Sequence, residues 1–308
     1  MKPPLKIGTR ESELAVWQAT LVKTRLLEKG IASELVYIKS EGDVDTVTPL
    51  YELGVQGIFT KTLDAALLNK KIDIVVHSMK DVPTQLAKGI QQAAVLQRAS
   101  YKDILVYNGS PQFLEDVNSI AVIATSSTRR KAQWLNRYPN HAIENLRGNV
   151  NTRLRKVEES DWKGAIFAAA GLERIHLRPE NSVDLDWMLP APSQGAIMVA
   201  CRENDDYAFE CGRPLNHRET ALCTKIEKDF LRELMGGCST PVAALAEIKD
   251  GNVIFRGNIC SLDGRQKIEI EEHLPIQEAS GMGRTAGRKI AKDTTAQNIL
   301  HTIRNEKS

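Results

Sequence analysis

Three short segments of the sequence concentrate arginine, lysine and small hydroxyl residues, and each of them follows an apolar run. The segments are 77–81 (HSMKD), 125–130 (TSSTRR) and 146–149 (LRGN). Arginine grips a carboxylate through two parallel hydrogen bonds, and hydroxyl residues that precede a helix leave backbone N–H groups free to attract anions. Residues of these types in this arrangement predict a binding site for a small molecule with several carboxylates.

Asp81 is the one acidic residue in these three segments. A carboxylate in a site for anionic ligands must serve something other than carboxylate binding. Stabilising a positive charge that forms during a reaction is one such purpose, because a fixed anion lowers the energy of a cationic transition state. An ion pair with Lys80 or Arg10 is the alternative, in which Asp81 has a structural role only.

Cys238 has an unusual sequence context, because it follows Gly236 and Gly237 and precedes Pro241. Glycines permit tight backbone conformations and proline stiffens the exit, so we expect a presented loop with a functional thiol. The other four cysteines have no such context, and Cys201 lies in an apolar run typical of a core. The odd total of five cysteines, with no Cys-x-x-Cys pair, argues against a disulfide framework. The six histidines show no ligand spacing, so no metal site is predicted.

The bulk composition is that of an ordinary globular protein. The chain has 308 residues, of which 42% are hydrophobic and 26% charged, and its net charge is +2. This length predicts two or three domains, and so small a net charge argues against a nucleic-acid partner. The sequence shows no apolar run of about 18 residues and no signal peptide, so we expect no membrane association and a cytoplasmic location.

Alternating strands and helices are the elements that must position the three clusters. Strands are predicted at 5–9, 33–38, 72–76, 119–124, 142–145 and 165–170, with helices at 14–27, at 62–68 and from after the strand 119–124 through Trp134. This alternation predicts mostly parallel, doubly wound sheets, and ligands of such sheets bind outside the carboxyl ends of the strands. Any one cluster is explained as well by a helix cap or a solvated face, but their joint placement at strand ends favours a cleft.

The last third of the chain has a different pattern, which indicates a small α+β domain. A helix is predicted at 219–235, a hairpin at 242–248 and 253–260 around Asp250 and Gly251, and a final helix at about 284–304. Polar segments at 101–116 and 205–217 predict domain boundaries. The long segment 41–60 predicts either a lid or a surface loop.

Five motifs of the chain, taken in order, resemble those of the porphobilinogen deaminase family. They are 77–83 (HSMKDVP), 125–130, 146–150 (LRGNV), 189–191 with 194–196, and 236–238 with Pro241. Together they extend over nearly the whole chain and are specific, although each alone is weak. The resemblance implies two doubly wound α/β domains of the periplasmic-binding-protein type and a C-terminal α+β domain. The first would comprise 1–97 with 196–216 and carry Asp81 and the lid loop, the second 98–195 with the arginine-rich sites, and the third 217–308 with Cys238.

The same resemblance implies a reaction and a cofactor. Cys238 would carry a dipyrromethane cofactor through a thioether, and four porphobilinogen molecules would be joined head to tail, each with loss of ammonia. The azafulvene formed in each round would be attacked by the free end of the growing chain, and water would release hydroxymethylbilane for tetrapyrrole (haem) biosynthesis. Asp81 would contact pyrrole nitrogens and stabilise the cationic intermediates. Such an enzyme is a transferase and, by analogy, a monomer.

Family positions that bind the acetate and propionate side chains match further residues of this chain. The residues implied for the cofactor, besides Cys238, are Ser78, Lys80, Thr125, Ser126, Ser127, Arg129, Arg130, Arg147 and Gly148. The residues implied for porphobilinogen are Arg10, Ser12, Arg147, Arg153, Arg174 and Gln194.

The chain departs from the family pattern in the lid loop. Residues 54–57 are GVQG where the family has GGKG, and Glu52 stands where lysine is frequent, so a lysine contact from the lid to a substrate carboxylate is not expected. Glu13 also differs from the usual family residue. The alternative functions are a non-catalytic solute-binding protein for a small polycarboxylate and a regulatory anion sensor. The motif around Cys238 and the lack of an export signal favour the enzyme.

Overall fold

The computed structural model describes residues 3–39, 60–234 and 240–305. The strands of these residues are β1 (Leu5–Thr9), β2 (Ser33–Tyr37), β3 (Ile74–Ser78), β4 (Ile90–Val95), β5 (Asp103–Tyr107), β6 (Val122–Ala124), β7 (Ala142–Glu144), β8 (Gly164–Ala168), β9 (Ser182–Asp184), β10 (Ile197–Arg202), β11 (Val242–Lys249), β12 (Asn252–Cys260) and β13 (Lys267–Pro275). The α-helices are α1 (Glu13–Leu27), α2 (Lys61–Leu68), α3 (Thr128–Arg137), α4 (Val150–Glu158), α5 (Ala169–Glu173), α6 (Asp206–Gly212), α7 (Arg218–Glu233), α8 (Met282–Ala291) and α9 (Thr294–Asn305). Cys238 and nearly all of the predicted loop 41–60 lie outside the described residues. No helix of the described residues is long and apolar enough to cross a membrane.

The chain forms two compact units. Of the described residues, the first unit contains 3–39, 60–100 and 194–222, and the second contains 101–193, 223–234 and 240–305. The chain thus leaves the first unit after Ser100 and returns to it at Gln194. Each unit has a five-stranded sheet, and the second unit also has a three-stranded one.

The sheet of the first unit has the strand order β2-β1-β3-β10-β4. β1 pairs in parallel with β2 and β3, whereas β10 runs antiparallel between β3 and β4. Ile197 lies opposite Ser78, so the start of β10 meets the end of β3. The carboxyl ends of β1 and β3 therefore share one edge of the sheet with the residues that precede β10.

The larger sheet of the second unit has the order β7-β6-β8-β5-β9. β6 pairs in parallel with β7 and β8, and β5 runs antiparallel to both β8 and β9. The carboxyl ends of β6, β7 and β8 thus lie at one edge. Because all three predicted clusters follow such strand ends, each unit gathers its own candidate site residues at a single sheet edge.

Helices cover both faces of the two larger sheets. In β3, for example, successive side chains point alternately to helices on opposite faces of the sheet. Ile74 and Val76 pack with α1 and α6, whereas Val75 packs with Leu67 of α2. In the second unit, α4 and α5 pack on one face and α3 on the other. Full burial of each Val or Ile side chain contributes about 1.5–3 kcal/mol, so strands that are apolar on both faces hold these layers together.

The predicted fold class, two wound α/β sheets followed by a smaller α+β region, is confirmed. The five-stranded sheets are mostly parallel, as expected: four strands of each sheet point in the same direction, and one strand, β10 or β5, runs antiparallel to both its neighbours. Each of these strands begins shortly after the chain crosses from one unit to the other. The segment 101–116, which was predicted to be a polar domain boundary, therefore begins with the strand β5. Ile104, Leu105 and Val106 of this strand are buried.

The three-stranded sheet of the second unit is antiparallel, in the order β11-β12-β13. The predicted hairpin is confirmed, with Asp250 and Gly251 at positive φ values of 49° and 77° in the turn. The single final helix predicted at 284–304 is wrong, because α8 and α9 are separate. Oδ1 of Asp293 accepts a hydrogen bond from the backbone N–H of Ala296 at 3.0 Å and so starts a new helix.

His141 is buried in an aromatic cluster of the second unit, where its neighbours fix the neutral form. Nδ1 accepts a hydrogen bond from the indole N–H of Trp134 at 3.1 Å, and indole can only donate. The ring proton therefore belongs on Nε2, which lies 2.9 Å from Oγ of Ser119. The imidazole also stacks on Tyr138, with ring centroids 4.9 Å apart. Burial lowers the pKa of His141.

We expect the second unit to lose stability as the pH falls below about 6.5, the ordinary pKa of an unfolded histidine. The unfolded chain takes up a proton there, whereas folded His141 resists it, so the stabilisation is complete above this pH and declines as the pH falls toward the folded pKa. Protonation removes the bond from Trp134, which contributes about 1 kcal/mol. Urea unfolding at about pH 7.5 and about pH 5.5, on either side of that pKa, measures the effect.

Two variants separate His141 from the other histidines. His141→Gln should be less stable at both pH values but should show a smaller difference between them. His301→Gln, at an exposed position, should keep the wild-type difference. An unchanged pH dependence in His141→Gln would show that another group is responsible.

Candidate active site

The candidate residues of the first unit lie where β1 and β3 end. Arg10 directly follows β1, and Ser12 is the N-cap residue of α1. Nη2 of Arg10 lies 3.4 Å from Oγ of Ser12. Ser78 ends β3, and its hydroxyl bonds the Gln18 side chain of α1, with Nε2 of Gln18 at 2.9 Å. Gln18 is itself buried, so it fixes the position of Ser78.

Lys80 and Asp81 lie in a 3₁₀ turn that continues β3 without a break. The turn is held from both sides: Met79 and Val82 are buried, and the N–H of Met79 donates to the carbonyl of Ala196 at 3.0 Å. Asp81 is half-buried. Among the described residues, none forms an ion pair or hydrogen bond with its carboxylate, so the alternative of a salt bridge to Lys80 or Arg10 does not hold. A carboxylate is thus held at the sheet edge by its neighbours in the chain and not by a cation.

Gln194 lies at the same edge, where the chain returns to the first unit. The Nε of Arg98 donates to its carbonyl at 2.8 Å. Gly195 follows with φ +85°, and a Cβ there would lie 2.6 Å from the carbonyl oxygen of Ser100, so only glycine fits. Gln194 is buried, and the bond to its own carbonyl and the close packing of Gly195 fix its backbone.

In the second unit, the hydroxyl groups of the segment after β6 form the hydrogen bonds that hold this segment in place. Thr125 Oγ1 accepts from the N–H of Ser127 at 3.2 Å, and Ser127 caps α3 by accepting from the N–H of Arg130. Oγ of Ser126 lies 2.6 Å from Oδ1 of Asn145 and accepts from the N–H of Leu146 at 3.0 Å. These bonds join the end of β6 to the end of β7 and set the start of α3.

Arg129 and Arg130 share one carboxylate, that of Asp103 at the start of β5. Asp103 is completely buried; Nε and Nη2 of Arg130 donate to its Oδ1 at 3.0 and 2.7 Å, and Nη1 of Arg129 lies 2.8 Å from Oδ2. Nη1 of Arg130 donates to the carbonyl of Ile166 at 2.9 Å, so all its nitrogens face internal acceptors. Arg129 donates to the carbonyl of Leu189 at 2.7 Å, while its buried Nε has no hydrogen-bond partner among the described residues.

This arginine pair has an excess of positive charge, because one carboxylate faces two guanidinium groups. Burial lowers the pKa of Arg129, Asp103 opposes that effect, and the neighbouring charge of Arg130 adds to it. The pair also lies at the N-terminus of α3, where the helix dipole is positive. The net positive charge of the pair and the dipole of α3 would both favour an anion bound beside Arg129.

The residues after β7 form a second group at the same edge. Arg147 is buried, and its carbonyl accepts from Nζ of Lys156 at 3.3 Å. Gly148 has φ +108°, and a Cβ there would lie 2.8 Å from Cγ2 of Thr152. Nε of Arg153 in α4 donates to the carbonyl of Gly148 at 2.8 Å. Contacts between the segment after β7 and α4 therefore hold Arg147, Gly148 and Arg153 close together.

Arg174 follows α5, after the end of β8. Burial lowers its pKa to about 10, with Glu173 acting in the opposite direction. A guanidinium group that burial has removed from water is stabilised more by a bound carboxylate than an exposed guanidinium group is. The end of β8 thus adds a cation to those after β6 and β7.

Two residues that position the site were missed by the sequence analysis. Asp103 opens an apolar strand, and a lone acid in front of a buried run is a signal that it needs a cation partner. Gln18 lies in the middle of α1 with no local sign of its bond to Ser78, 60 residues later. Nothing in the sequence could have identified it.

Comparison with known proteins identifies the family. Residues 5–210 match the model described as porphobilinogen deaminase, dipyromethane cofactor binding domain, and residues 221–292 match that of the porphobilinogen deaminase C-terminal domain. The chain is 42% identical to the chloroplastic porphobilinogen deaminase of Pisum sativum, over 93% of this chain and 80% of that one. It is 41% identical to the porphobilinogen deaminase of Syntrophotalea carbinolica, over 91% and 90%. It is 40% identical to the probable porphobilinogen deaminase of Methanosarcina mazei, over 93% and 91%.

Two family models that together span most of the chain, and several relatives near 40% identity, agree with the motifs at the two sheet edges. The chain belongs to the porphobilinogen deaminase family.

Proposed function

We propose that this chain joins four porphobilinogen molecules head to tail and releases hydroxymethylbilane in tetrapyrrole biosynthesis. Each of the four couplings releases one ammonia, and one water molecule is consumed when the product leaves. Membership of the family and the extent of the matches support this transferase activity. The alternative of a non-catalytic solute-binding protein would need the same anion sites but no covalent anchor, so the mass of the protein distinguishes the two.

Cys238 is the proposed attachment point of a dipyrromethane, bound through a thioether. Support comes from the other four cysteines, which are all buried. Burial raises the pKa of Cys201 to about 11 and that of Cys260 to about 12, and a thiol that stays protonated is a poor nucleophile. When bound, this group supplies the pyrrole carbon to which the first substrate is joined.

The residues of the second unit fit a group with several carboxylates. The buried Nε of Arg129 offers a donor that no described residue uses, and the arginine pair around Asp103 has a net positive charge. Arg147, with Gly148 beside it, supplies a second cation at the same edge. Together with Ser78 and Lys80 of the first unit and the segment Thr125, Ser126, Ser127 and Arg130, these are the residues we assign to the cofactor.

Asp81 is the proposed catalytic residue, and one observation carries this assignment: its half-buried carboxylate has no cation partner among the described residues. Loss of ammonia from porphobilinogen leaves a ring with positive character, and attack by the next pyrrole creates another cation before a proton leaves. The cations that hold the substrate carboxylates oppose both charges. A fixed carboxylate stabilises them in the transition state more than in the ground state, which raises turnover.

The remaining site residues are assigned to the substrate. Arg10, Ser12 and Gln194 lie at the sheet edge of the first unit, and Arg153 and Arg174 at that of the second.

We further propose a cytoplasmic enzyme with domains 1–97 plus 196–216, 98–195 and 217–308. The buried free thiols favour a reducing compartment. The crossings after Ser100 and before Gln194 support the first boundaries, and the start of α7 supports the last.

Asp81→Asn should fold but lose about 10²-fold or more in turnover, the range typical of removing one electrostatic stabiliser. Asp81→Glu keeps the charge and displaces it by one methylene, so it should retain more activity than the asparagine variant. Steady-state rates of porphobilinogen consumption measure both, after mass spectrometry has shown that each variant carries the cofactor. Near-normal turnover of Asp81→Asn would remove Asp81 from the mechanism.

Cys238→Ser should give a folded protein without covalent cofactor and without turnover. The intact mass of the wild type should exceed the chain mass by two deaminated porphobilinogen units, and that of the variant should not. Cys211→Ala, at a buried cysteine of the first unit, is the matched control and should keep the added mass. If Cys238→Ser keeps the added mass, another residue is the anchor; if the wild type lacks it, a binding protein is the better description.

Arg153→Ala should weaken substrate capture more than Arg155→Ala, although both lie in α4. Arg153 is half-buried against Gly148, whereas the side chain of Arg155 is 66% exposed and faces Glu159 at 3.8 Å. A charge-assisted hydrogen bond lost from a desolvated site costs about 1.5–3 kcal/mol, which corresponds to about 10–150-fold in KM. Equal effects at the two positions would show that general charge, and not placement, attracts the substrate.

A further inference from the structure

The connection between β12 and β13 is a turn closed by its own hydrogen bonds. Ser261 N–H donates to the carbonyl of Gln266 at 2.9 Å, and Ser261 Oγ accepts from the N–H of Gln266 at 2.9 Å. Oδ1 of Asp263 accepts from the N–H of Arg265 at 3.1 Å. Bonds to Ser261 and Arg265 lower the pKa of Asp263. This turn, residues 261–266, is therefore a rigid end of the three-stranded sheet.

The turn 261–266 packs directly on α3 within the second unit. Nδ2 of Asn136 donates to the carbonyl of Gly264 at 2.8 Å. Gly264 has φ +74°, and a Cβ there would lie 2.6 Å from the carbonyl oxygen of Ala132 and 2.6 Å from the backbone nitrogen of Asn136. Both contacts are with helix backbone, which cannot move aside as a flexible side chain can. Only glycine permits this approach.

A second set of contacts joins α3 to β12. These contacts lie one helical turn closer to the N-terminus of α3 than Asn136 does. Gln133 is buried and bonds Leu189 twice, accepting from its N–H at 3.0 Å and donating to its carbonyl at 2.9 Å. Nδ2 of Asn258 in β12 lies 3.4 Å from Oε1 of the same Gln133. The carbonyl of Leu189 also accepts from Arg129. The amide side chains of α3 thus link the three-stranded sheet to the arginine pair.

The same sheet leads back along the chain toward Cys238. The N–H of Cys260 donates to the carbonyl of Pro241 at 3.1 Å, and Val242 pairs with Ile259. Pro241 is three residues after Cys238 in the sequence. A continuous hydrogen-bonded path therefore runs from Pro241 through β12 to Gly264, and from Gly264 through α3 to Arg129.

We propose that Gly264 and Asn136 are positioning residues, which set the distance between Pro241, the third residue after Cys238 in the sequence, and the cations at the start of α3. This proposal rests on the proposed function, in which the bound chain is fixed at Cys238 and its carboxylates are held by arginines. A displacement of about 1 Å in such a system can cost on the order of 10² in rate. In this proposal Gly264 and Asn136 act only through this distance.

The decisive comparison is Gly264→Ala against Gly251→Ala. Both glycines lie in turns of the same sheet with nearly equal φ values, 74° and 77°, so the backbone strain of an alanine is matched. A Cβ at Gly251 meets nothing within 4 Å, whereas one at Gly264 meets the backbone of α3. Gly264→Ala should lower kcat at least about tenfold, since a sub-ångström shift is forced, while Gly251→Ala should stay within about twofold of wild type.

A readout independent of turnover is hydrogen exchange in α3. Exchange of the amides of residues 128–137 should quicken in Gly264→Ala and not in Gly251→Ala, with or without the cofactor attached. Asn136→Asp replaces the donor to Gly264 with an acceptor and should shift kcat and α3 exchange in the same direction. Asn140→Asp, at an exposed asparagine of the same unit, is its control and should change neither.

The outcomes separate this proposal from the proposed function. If wild type turns over and Gly264→Ala matches Gly251→Ala in kcat and in α3 exchange, the positioning role is wrong. If Gly264→Ala does not fold, Asn136→Asp decides by the same two measurements. If wild type shows no turnover and no added mass, the proposed function fails, while faster α3 exchange in Gly264→Ala would still establish the contact.

Discussion

A single buried carboxylate, that of Asp103, holds two guanidinium groups at the start of α3. It joins β5 to Arg129 and Arg130, and Arg130 continues the connection to the carbonyl of Ile166 in β8. Removing one partner of a buried pair leaves an uncompensated charge, at a cost of about 3–5 kcal/mol. The placement of α3, of the strands beneath it and of the cations at the sheet edge all depend on this one interaction.

The two units carry candidate functional groups of opposite charge. The first unit presents Asp81, which its backbone neighbours hold and no described cation neutralises. The second presents arginines whose positive charge exceeds that of their single carboxylate partner. In both units the functional groups extend from the carboxyl ends of parallel strands, where a rigid sheet fixes their direction. The chemical difference lies in the side chains, since both five-stranded sheets have four strands that point in the same direction and one that runs antiparallel to them.

Local sequence signals were sufficient for much of this structure. The hairpin at Asp250 and Gly251 was predictable because two consecutive positive φ values need residues of these types. The clusters at strand ends were predictable because hydroxyl and cationic residues follow apolar runs. Local residue chemistry singled out Asp81 and Cys238, and the family motifs supplied their specific roles.

Long-range features were not accessible in the same way. The direction of β10 depends on its neighbours β3 and β4, since an apolar run is the same whether it pairs parallel or antiparallel. The break between α8 and α9 depends on one capping bond of Asp293 within an otherwise helical pattern. The bond of Gln18 to Ser78 and the shared use of Asp103 join residues far apart in sequence. Partner choice of this kind is set by the tertiary fold alone.

The place of β10 in its sheet has a consequence for the order in which the protein folds during synthesis. β4 ends at Val95, yet its one strand partner among the described residues, β10, begins at Ile197. The larger sheet of the second unit is complete in sequence by Asp184, before β10 emerges from the ribosome. The second unit can therefore close its sheet while the first still lacks an inner strand. Pairing over so long a separation is slow, so the sheet of the first unit, although its first strands are translated earlier, closes after the larger sheet of the second unit.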